Sequence, residues 1–183
     1  MDIAPDTFGG LAGPEIELFQ QQLAGLEGTG VEIGCLDGFS TVHILEFSKL
    51  RLTSIDPLIP DSMAPNLIGR EHILLENLRP YADRHTFIKG YSYDVANDWE
   101  KPLDFLFIDG SHHYLDVRRD YFDWTPFLKP QGILAIHDSR MHRPRGAGFH
   151  PGPSKLALEA VYSKPEQWQV TGEAFSLTVA RKL

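Results

Sequence analysis

The sequence has little of what secreted and membrane proteins depend on. Its single cysteine, Cys35, cannot form an internal disulfide, which fits a reducing compartment. Its apolar runs fall well short of the roughly 20 residues that a membrane helix requires. Residues 1–10 lack the basic and apolar regions of a signal peptide. We therefore expect a cytoplasmic protein that does not bind membranes.

Basic residues are also scarce relative to acidic ones. The chain has 17 Lys and Arg residues against 25 Asp and Glu residues, which gives a net charge of −8. Binding to nucleic acid or to an anionic membrane depends on basic surface, so neither partner is expected. An acidic site instead attracts a cationic ligand over a distance.

The remaining composition is that of an ordinary globular protein. Hydrophobic residues make up 42% and charged residues 23% of the 183 residues, which suits one domain with its own core. Residues 1–13 contain Pro5 and the Gly9-Gly10 pair, show little periodicity and are interpreted as a loose arm. A single domain is expected over residues 14–183.

Apolar runs alternate with amphipathic stretches along this domain. A first helix is predicted to begin at Pro14 and to be ended by Gly28 and Gly30. Further helices are predicted at 40–49, 69–79, about 112–127 and about 154–163. Strands are predicted at 31–33, 52–55, 86–88, 103–108, 132–136, 168–171 and 175–180, the last two around Gly172-Glu173.

This alternation predicts an α/β fold. Parallel strands need helical crossovers, so the pattern indicates a Rossmann-like, doubly wound, mostly parallel sheet with helices on both faces. The last two strands have no helix between them and predict an antiparallel edge strand. Ligands of such sheets bind beyond the carboxyl ends of the strands, near the point where the strand order reverses.

The turn after the first strand is rich in glycine. Gly34 and Gly38 allow a tight turn and close approach of a ligand, and Ser40 or Thr41 can cap the next helix. The free N–H groups of that helix suit an anionic group. Glu32, before the turn, suits a cationic ammonium group.

The same turn does not match a dinucleotide-binding fingerprint. Counting from Gly34, Leu36 and Phe39 stand where the second and third glycines would be, and the P-loop lysine is absent. An NAD-dependent oxidoreductase on this fold is thus disfavoured but remains an alternative. A second alternative is that this turn only connects the strand to the helix and binds no ligand.

Polar residues also end the next two strands. Asp56 is placed to hold both hydroxyls of a ribose, although Asp56-Pro57 could equally form a turn. The third strand is followed by Gly90-Tyr91-Ser92, where the Ser92 hydroxyl could meet a base edge.

The fourth and fifth strands end in two carboxylates and several imidazoles. Asp109, Asp138 and His137 could hold a divalent cation, and His112 could accept a proton near neutral pH. Alternatively, Asp109 caps the next helix, and His112 or His113 forms local hydrogen bonds only.

Five motifs in register resemble the class I S-adenosylmethionine-dependent methyltransferases. They are EIGCLDGFST, SIDP, KGYSYD, DFLFIDGSHHY and ILAIHDS, and they span about residues 31–139. The likeness is to small-molecule O-methyltransferases of the catechol type and to relatives that act on antibiotic sugars. The resemblance implies a methyl transfer from S-adenosylmethionine to a hydroxyl group of a small metabolite.

The resemblance also implies cofactor-binding roles. Glu32, Gly34 and Ser40 would surround the methionine portion, with Ser40 facing its carboxylate. Asp56 would hold the ribose hydroxyls, and Ser92 would touch the adenine. Gly38 belongs to the same turn and is included in the expected cofactor site.

The expected metal and catalytic residues depart from the catechol type. Asp109 matches its Mg²⁺-ligating acid, whereas His137-Asp138 stand where that type has Asp-Asn, and His112 stands where it has a catalytic lysine. The resemblance therefore implies that Asp109, His137 and Asp138 bind Mg²⁺ or another divalent ion and that His112 is the base. In a metal-free alternative, Asp109 contacts the cofactor or acceptor and His112 acts alone.

The acceptor is expected to be held by loops, namely 57–68, 139–153 and the N-terminal arm. Arg140, Arg143 and Arg145 could bind an anionic acceptor, or could simply be solvated, and Phe149 fits a lid. The sequence leaves open the acceptor's identity, O- against N-methylation, a homo-oligomeric state, and a non-catalytic binding module.

Overall fold

Strands and helices alternate along the chain as predicted. The computed structural model describes residues 3–60, 65–140 and 151–183. The strands are β1 (Glu27–Ile33), β2 (Lys49–Ile55), β3 (His85–Ile88), β4 (Leu103–Ile108), β5 (Leu128–Ile136), β6 (Trp168–Ala174) and β7 (Leu177–Lys182). The helices are α1 (Gly13–Leu23), α2 (Phe39–Phe47), α3 (Glu71–Leu78), α4 (Ser92–Asn97), α5 (Tyr114–Trp124) and α6 (Pro151–Ala157), which a π-helical turn (Leu158–Tyr162) extends.

The strands form one sheet in the order β3-β2-β1-β4-β5-β7-β6. The first five strands are parallel, and β7 is antiparallel to both β5 and β6. The predicted doubly wound, mostly parallel sheet is confirmed. The antiparallel strand, however, lies one position inside the edge, because β6 pairs outside it.

Helices cover both faces of the sheet. Because its strands are buried on both faces, β4 is an uninterrupted apolar run after Asp104. Phe19 and Leu45 pack against one face, and Val117 and Trp124 pack against the other. No helix among the described residues is both long and apolar enough to cross a membrane.

The prediction that Gly28 and Gly30 end the first helix is wrong. The helix ends at Leu23, and both glycines lie within β1. A Cβ atom on Gly28 would lie 2.0 Å from the Asp104 carboxylate, which accepts a hydrogen bond from the backbone N–H of Thr29. Here glycine leaves room for the Asp104 side chain and allows a φ of +111°, so its presence does not indicate the end of a helix.

Two further elements differ from the predictions. The short helix α4 begins at Ser92, where no helix is predicted. The final hairpin turns at Phe175-Ser176 rather than at Gly172-Glu173. Gly172 stays in β6, where a Cβ atom would lie 2.5 Å from the Leu18 side chain.

The described part of the N-terminal arm packs on the domain and is not loose. The backbone N–H of Ala4 donates to Asn77 Oδ1 at 2.9 Å, and that of Phe8 donates to Asp37 Oδ2 at 3.0 Å. The Leu11 side chain is buried in the core. These contacts carry the Gly9-Gly10 pair to the carboxyl edge of the sheet.

Gly34 joins the carboxyl ends of β1 and β4. Its φ angle is +83°, and a Cβ atom there would lie 2.2 Å from the carbonyl oxygen of Asp109. Its N–H donates to the carbonyl of Ile55 at 2.9 Å. A side chain at this position would push three strand ends apart.

We expect Gly34→Ala to lower the free energy of unfolding by about 2–4 kcal/mol, because it combines a backbone clash with an unfavourable φ. Urea unfolding measures this. Gly13→Ala is the matched control, since a Cβ atom there meets nothing within 4 Å. Equal stability of the two variants would contradict the role given to Gly34.

Candidate active site

A cavity of about 650 Å³ lies at the carboxyl edge of the sheet, where the strand order reverses between β1 and β4. Its walls come from the ends of β1, β2, β4 and β5, from α4 and α5, and from the N-terminal arm. The volume is typical of a small-molecule site. Most sequence-predicted site residues meet here.

One end of the cavity is formed by the glycine turn and by Asp56. Gly34, Ser40 and Asp56 all line the cavity. The backbone N–H groups of Cys35 and Leu36 each donate to Asp56 Oδ2 at 2.9 Å. Asp56 thus ties the turn to the end of β2 and also borders the cavity, while its contact with a ribose stays a prediction.

Gly38 does not face the cavity. It precedes α2 with a φ of +83°, and a Cβ atom there would lie 2.9 Å from the Leu74 side chain. The predicted turn geometry is confirmed. The geometry explains the glycine by packing against α3, with no ligand contact required.

Glu32 lies behind the cavity wall and is completely buried. Its carboxylate accepts hydrogen bonds from Ser40 Oγ, Thr41 Oγ1 and Ser54 Oγ, at 2.5, 2.6 and 2.7 Å. Burial raises the pKa of Glu32 to about 7, against the lowering effect of these hydroxyl groups. His85 Nε2 lies 3.0 Å from Ser54 Oγ, and burial lowers the pKa of His85 to about 4.

The ends of β4 and β5 bring the predicted acids and histidines together. His137 Nδ1 lies 2.9 Å from Asp109 Oδ1 and 3.4 Å from Asp138 Oδ2. His112 Nε2 lies 3.1 Å from Asp138 Oδ2. One potential ligand atom from each of Asp109, His137 and Asp138 falls within 4.8 Å of the others. This donor set is compatible with a divalent cation.

Glu15 completes this cluster and was not predicted as a site residue. Its carboxylate, fully buried in α1, lies 3.4 Å from His137 Nε2 and accepts hydrogen bonds from the N–H and Oγ of Ser176. Burial alone would lower the pKa of His137, but the carboxylates of Asp109, Asp138 and Glu15 raise it well above its usual value. From sequence, Glu15 is explained by the helix dipole alone.

Both ring nitrogens of His137 face carboxylate oxygens, Nδ1 those of Asp109 and Asp138 and Nε2 that of Glu15, so both positions favour a ring N–H. Nε2 faces Glu15 and a Ser176 hydroxyl whose proton is already donated to Glu15, so Nε2 carries a hydrogen. A metal ion held with Asp109 and Asp138 would replace the hydrogen on Nδ1, which is the ring nitrogen on their side. A carboxylate on the distal nitrogen is typical of metal-ligating histidines.

The other end of the cavity is formed by α4 and α5. Ser92 lines it, and its hydroxyl donates to Asp120 Oδ1. Asp120 also lines the cavity, and burial raises its pKa to about 6. An acid between the apolar positions Val117 and Trp124 was the available signal for this unpredicted residue.

The expected acceptor loops are described in part. Ile59, Pro60 and Leu67 line the cavity, whereas residues 61–64 lie outside the described residues. Arg143, Arg145 and Phe149 also lie outside them. Arg140 Nε lies 3.5 Å from Glu173 Oε1.

The solved structures on which this chain superposes include O-methyltransferases. The O-methyltransferase NovP superposes with a TM-score of 0.68 at 16% identity, over 91% of this chain and 78% of that one. TomG from Streptomyces achromogenes, an O-methyltransferase in complex with S-adenosylmethionine, superposes with a TM-score of 0.64 at 14% identity, over 94% and 81%. This chain therefore has the fold of these two O-methyltransferases.

Sequence comparison establishes the family. The profile of a methyltransferase-domain family matches residues 31–139, more than half of the chain. This chain belongs to that family, which confirms the predicted resemblance.

Two uncharacterized proteins are related in sequence. One, from Acanthamoeba polyphaga mimivirus, is 31% identical over 152 residues, which are 79% of this chain and 66% of the relative. One from Sinorhizobium fredii is 37% identical over 58 residues, which are 32% of this chain and 6% of the relative. The chain thus spans less than two thirds of either relative.

Glu32 should make stability depend on pH. Its folded-state pKa of about 7 exceeds the ordinary value of 4.5, so the folded state is disfavoured as pH rises through this range. We expect the stability of wild type relative to Glu32→Gln to fall by up to about 3 kcal/mol between pH 5 and 8. Urea unfolding at each pH measures this.

The control for this prediction is Glu27→Gln. Glu27 lies on the same strand, and its side chain is 66% exposed. The difference in free energy of unfolding between Glu27→Gln and wild type should stay constant over the same pH range. If the difference in free energy of unfolding between Glu32→Gln and wild type were also constant, the raised pKa of the buried Glu32 carboxyl group would be contradicted.

Proposed function

We propose that this protein transfers a methyl group from S-adenosylmethionine to a hydroxyl group of a small metabolite, assisted by a divalent metal. One observation supports this above all. The glycine turn with Asp56 and the cluster of Asp109, His112, His137 and Asp138 border the same cavity. A cofactor site therefore adjoins groups that can bind an oxygen atom and accept its proton.

The cofactor would lie along the turn after β1. Gly34 allows a ligand to approach the backbone, Ser40 faces the methionine carboxylate with its N–H group in the first turn of α2, and Asp56 accepts hydrogen bonds from the ribose. Glu32 would act through Ser40, whose hydroxyl it binds. The site's acidic residues favour approach of the cationic sulfonium.

Asp109, His137 and Asp138 would hold the metal. A divalent ion bound there supplies a Lewis acid that lowers the pKa of a coordinated hydroxyl group. Glu15 fixes the ring of His137 from behind, with both carboxylate oxygens within reach of its Nε2. The metal could be Mg²⁺ or Mn²⁺, and the imidazole ligand shifts the preference towards a transition metal.

His112 would be the general base. Its imidazole lines the cavity, and the Asp138 carboxylate 3.1 Å from Nε2 stabilises the cation formed when the ring takes a proton. Methyl transfer itself is an in-line displacement, so the protein contributes mainly by aligning the acceptor oxygen, methyl carbon and sulfur. Gly10 leaves room beside this cluster, since a Cβ atom there would lie 3.6 Å from His137 Cε1.

The first test is cofactor binding. We expect isothermal titration calorimetry to detect S-adenosylhomocysteine binding to wild type, and Asp56→Asn to weaken it about 10–100-fold because a charged hydrogen-bond acceptor is lost. Asp83→Asn, an exposed acid in the turn before β3, should bind like wild type. No heat with folded wild type would refute the cofactor assignment.

The second test concerns the metal and the base. We expect wild type to bind Mn²⁺, and Asp109→Asn and Asp138→Asn to bind it more than tenfold more weakly, since each removes a charged ligand. With labelled S-adenosylmethionine and a panel of hydroxylated metabolites, turnover should stop on chelation. His112→Gln should lower kcat by about 10²–10⁴ while S-adenosylhomocysteine affinity is retained.

Each alternative has its own outcome in this test. Turnover that survives chelation but is lost in His112→Gln would select the metal-free mechanism. Cofactor binding without turnover on any acceptor would favour a non-catalytic module. Labelled product on nitrogen rather than oxygen would correct the proposed acceptor atom.

A further inference from the structure

A buried carboxylate that the transfer reaction does not use lies at the α5 end of the cavity. Asp120 is only 6% exposed, although its helix neighbours Val117, Tyr121 and Trp124 belong to the apolar core. An acid in such surroundings is costly unless both of its oxygens find hydrogen-bond donors. Its hydrogen bonds therefore indicate what the site accommodates.

Only one oxygen of Asp120 has a donor within the described chain. Ser92 Oγ donates to Oδ1. Oδ2 accepts no hydrogen bond from any residue between 3 and 60, 65 and 140, or 151 and 183. A Cβ atom on Gly110 would lie 3.6 Å from Oδ2, and Gly110 lines the cavity together with Asp120. Oδ2 is thus an acceptor at the cavity wall.

The surrounding side chains favour a flat ligand. Tyr91 and Tyr93 stack with ring centroids 5.1 Å apart and an interplanar angle of 13°, and both line the cavity. The Arg119 guanidinium lies 3.7 Å from the Tyr93 ring centroid, so the nearby cation packs on an aromatic ring. An aromatic wall beside a carboxylate oxygen suits a planar heterocycle that carries an amino group.

We propose that Asp120 recognises the nucleobase of the cofactor: Oδ2 accepts a hydrogen bond from the exocyclic amino group of a 6-aminopurine, while Ser92 holds Oδ1. This inference rests on the proposed function, which supplies the purine. It also changes the role expected for Ser92, which becomes a positioning residue for Asp120 rather than the principal contact to the base.

This assignment makes the site selective. A 6-oxopurine presents a carbonyl oxygen in place of the amino group, and two acceptors facing each other repel. An asparagine at position 120 would offer both an acceptor and a donor, so it would tolerate either purine. Selectivity between the two purines, rather than affinity alone, is the property that depends on the Asp120 carboxylate.

The experiment compares two nucleosides by calorimetry. Wild type should bind S-adenosylhomocysteine at least roughly tenfold more tightly than S-inosylhomocysteine, because hydrogen bonds to charged groups are the stronger ones. Asp120→Asn should reduce this ratio to within about threefold. Ser92→Ala should weaken binding of the adenosyl compound several-fold, because the carboxylate loses the hydroxyl that orients it.

Asp94→Asn is the matched control, since Asp94 is an exposed acid in the first turn of α4. It should keep the wild-type ratio, and thermal unfolding should verify that each variant is folded. Equal affinity of wild type for the two nucleosides would overturn the inference, with no variant needed. An unchanged ratio in folded Asp120→Asn would overturn it as well. If wild type bound neither nucleoside, the proposed function would fail first.

Discussion

The contact between Gly34 and the backbone of Asp109 is the constraint on which the site depends. Without a Cβ atom, the end of β1 can bend against the end of β4, and a methyl group there would meet a carbonyl oxygen at 2.2 Å. The bend sets the glycine turn, with Asp56 bonded to its N–H groups, beside Asp109, the first acid of the cluster at the ends of β4 and β5. The proposed cofactor site and the proposed acceptor site are adjacent because these two backbones are in contact.

Three buried acids surround the cavity and are stabilised in the same way. They are Glu15, Glu32 and Asp120. Each costs free energy to bury, and each is stabilised by hydrogen bonds from groups on other elements. Each also fixes a polar side chain that lines the cavity. Those side chains are His137, Ser40 and Ser92, respectively. The acids thereby orient the wall of the site before any ligand arrives.

The local patterns predicted the sheet well and the turns less well. Strand β4 has its predicted bounds, because a run of apolar residues buried on both faces has only one explanation at that length. The prediction that Gly28 and Gly30 end the first helix was wrong, because the sequence alone does not distinguish a glycine within a strand from a glycine at the end of a helix. The conformation of Gly38 and its contact with Leu74 explain the glycine in the fold, and its place in the cofactor site stays a prediction.

The sequence by itself determined the α/β fold and the edge of the sheet where Asp56, Asp109 and Asp138 meet, because parallel strands bring their carboxyl ends to one side. Only the tertiary structure decided that Glu15 lies against a histidine 122 positions away and that Asp120 lies beside Ser92. The reason is that a hydrogen bond requires its two partners in a particular orientation. Spacing fixes which face of a helix is buried, whereas the partner of a buried polar group depends on how that helix packs on the sheet.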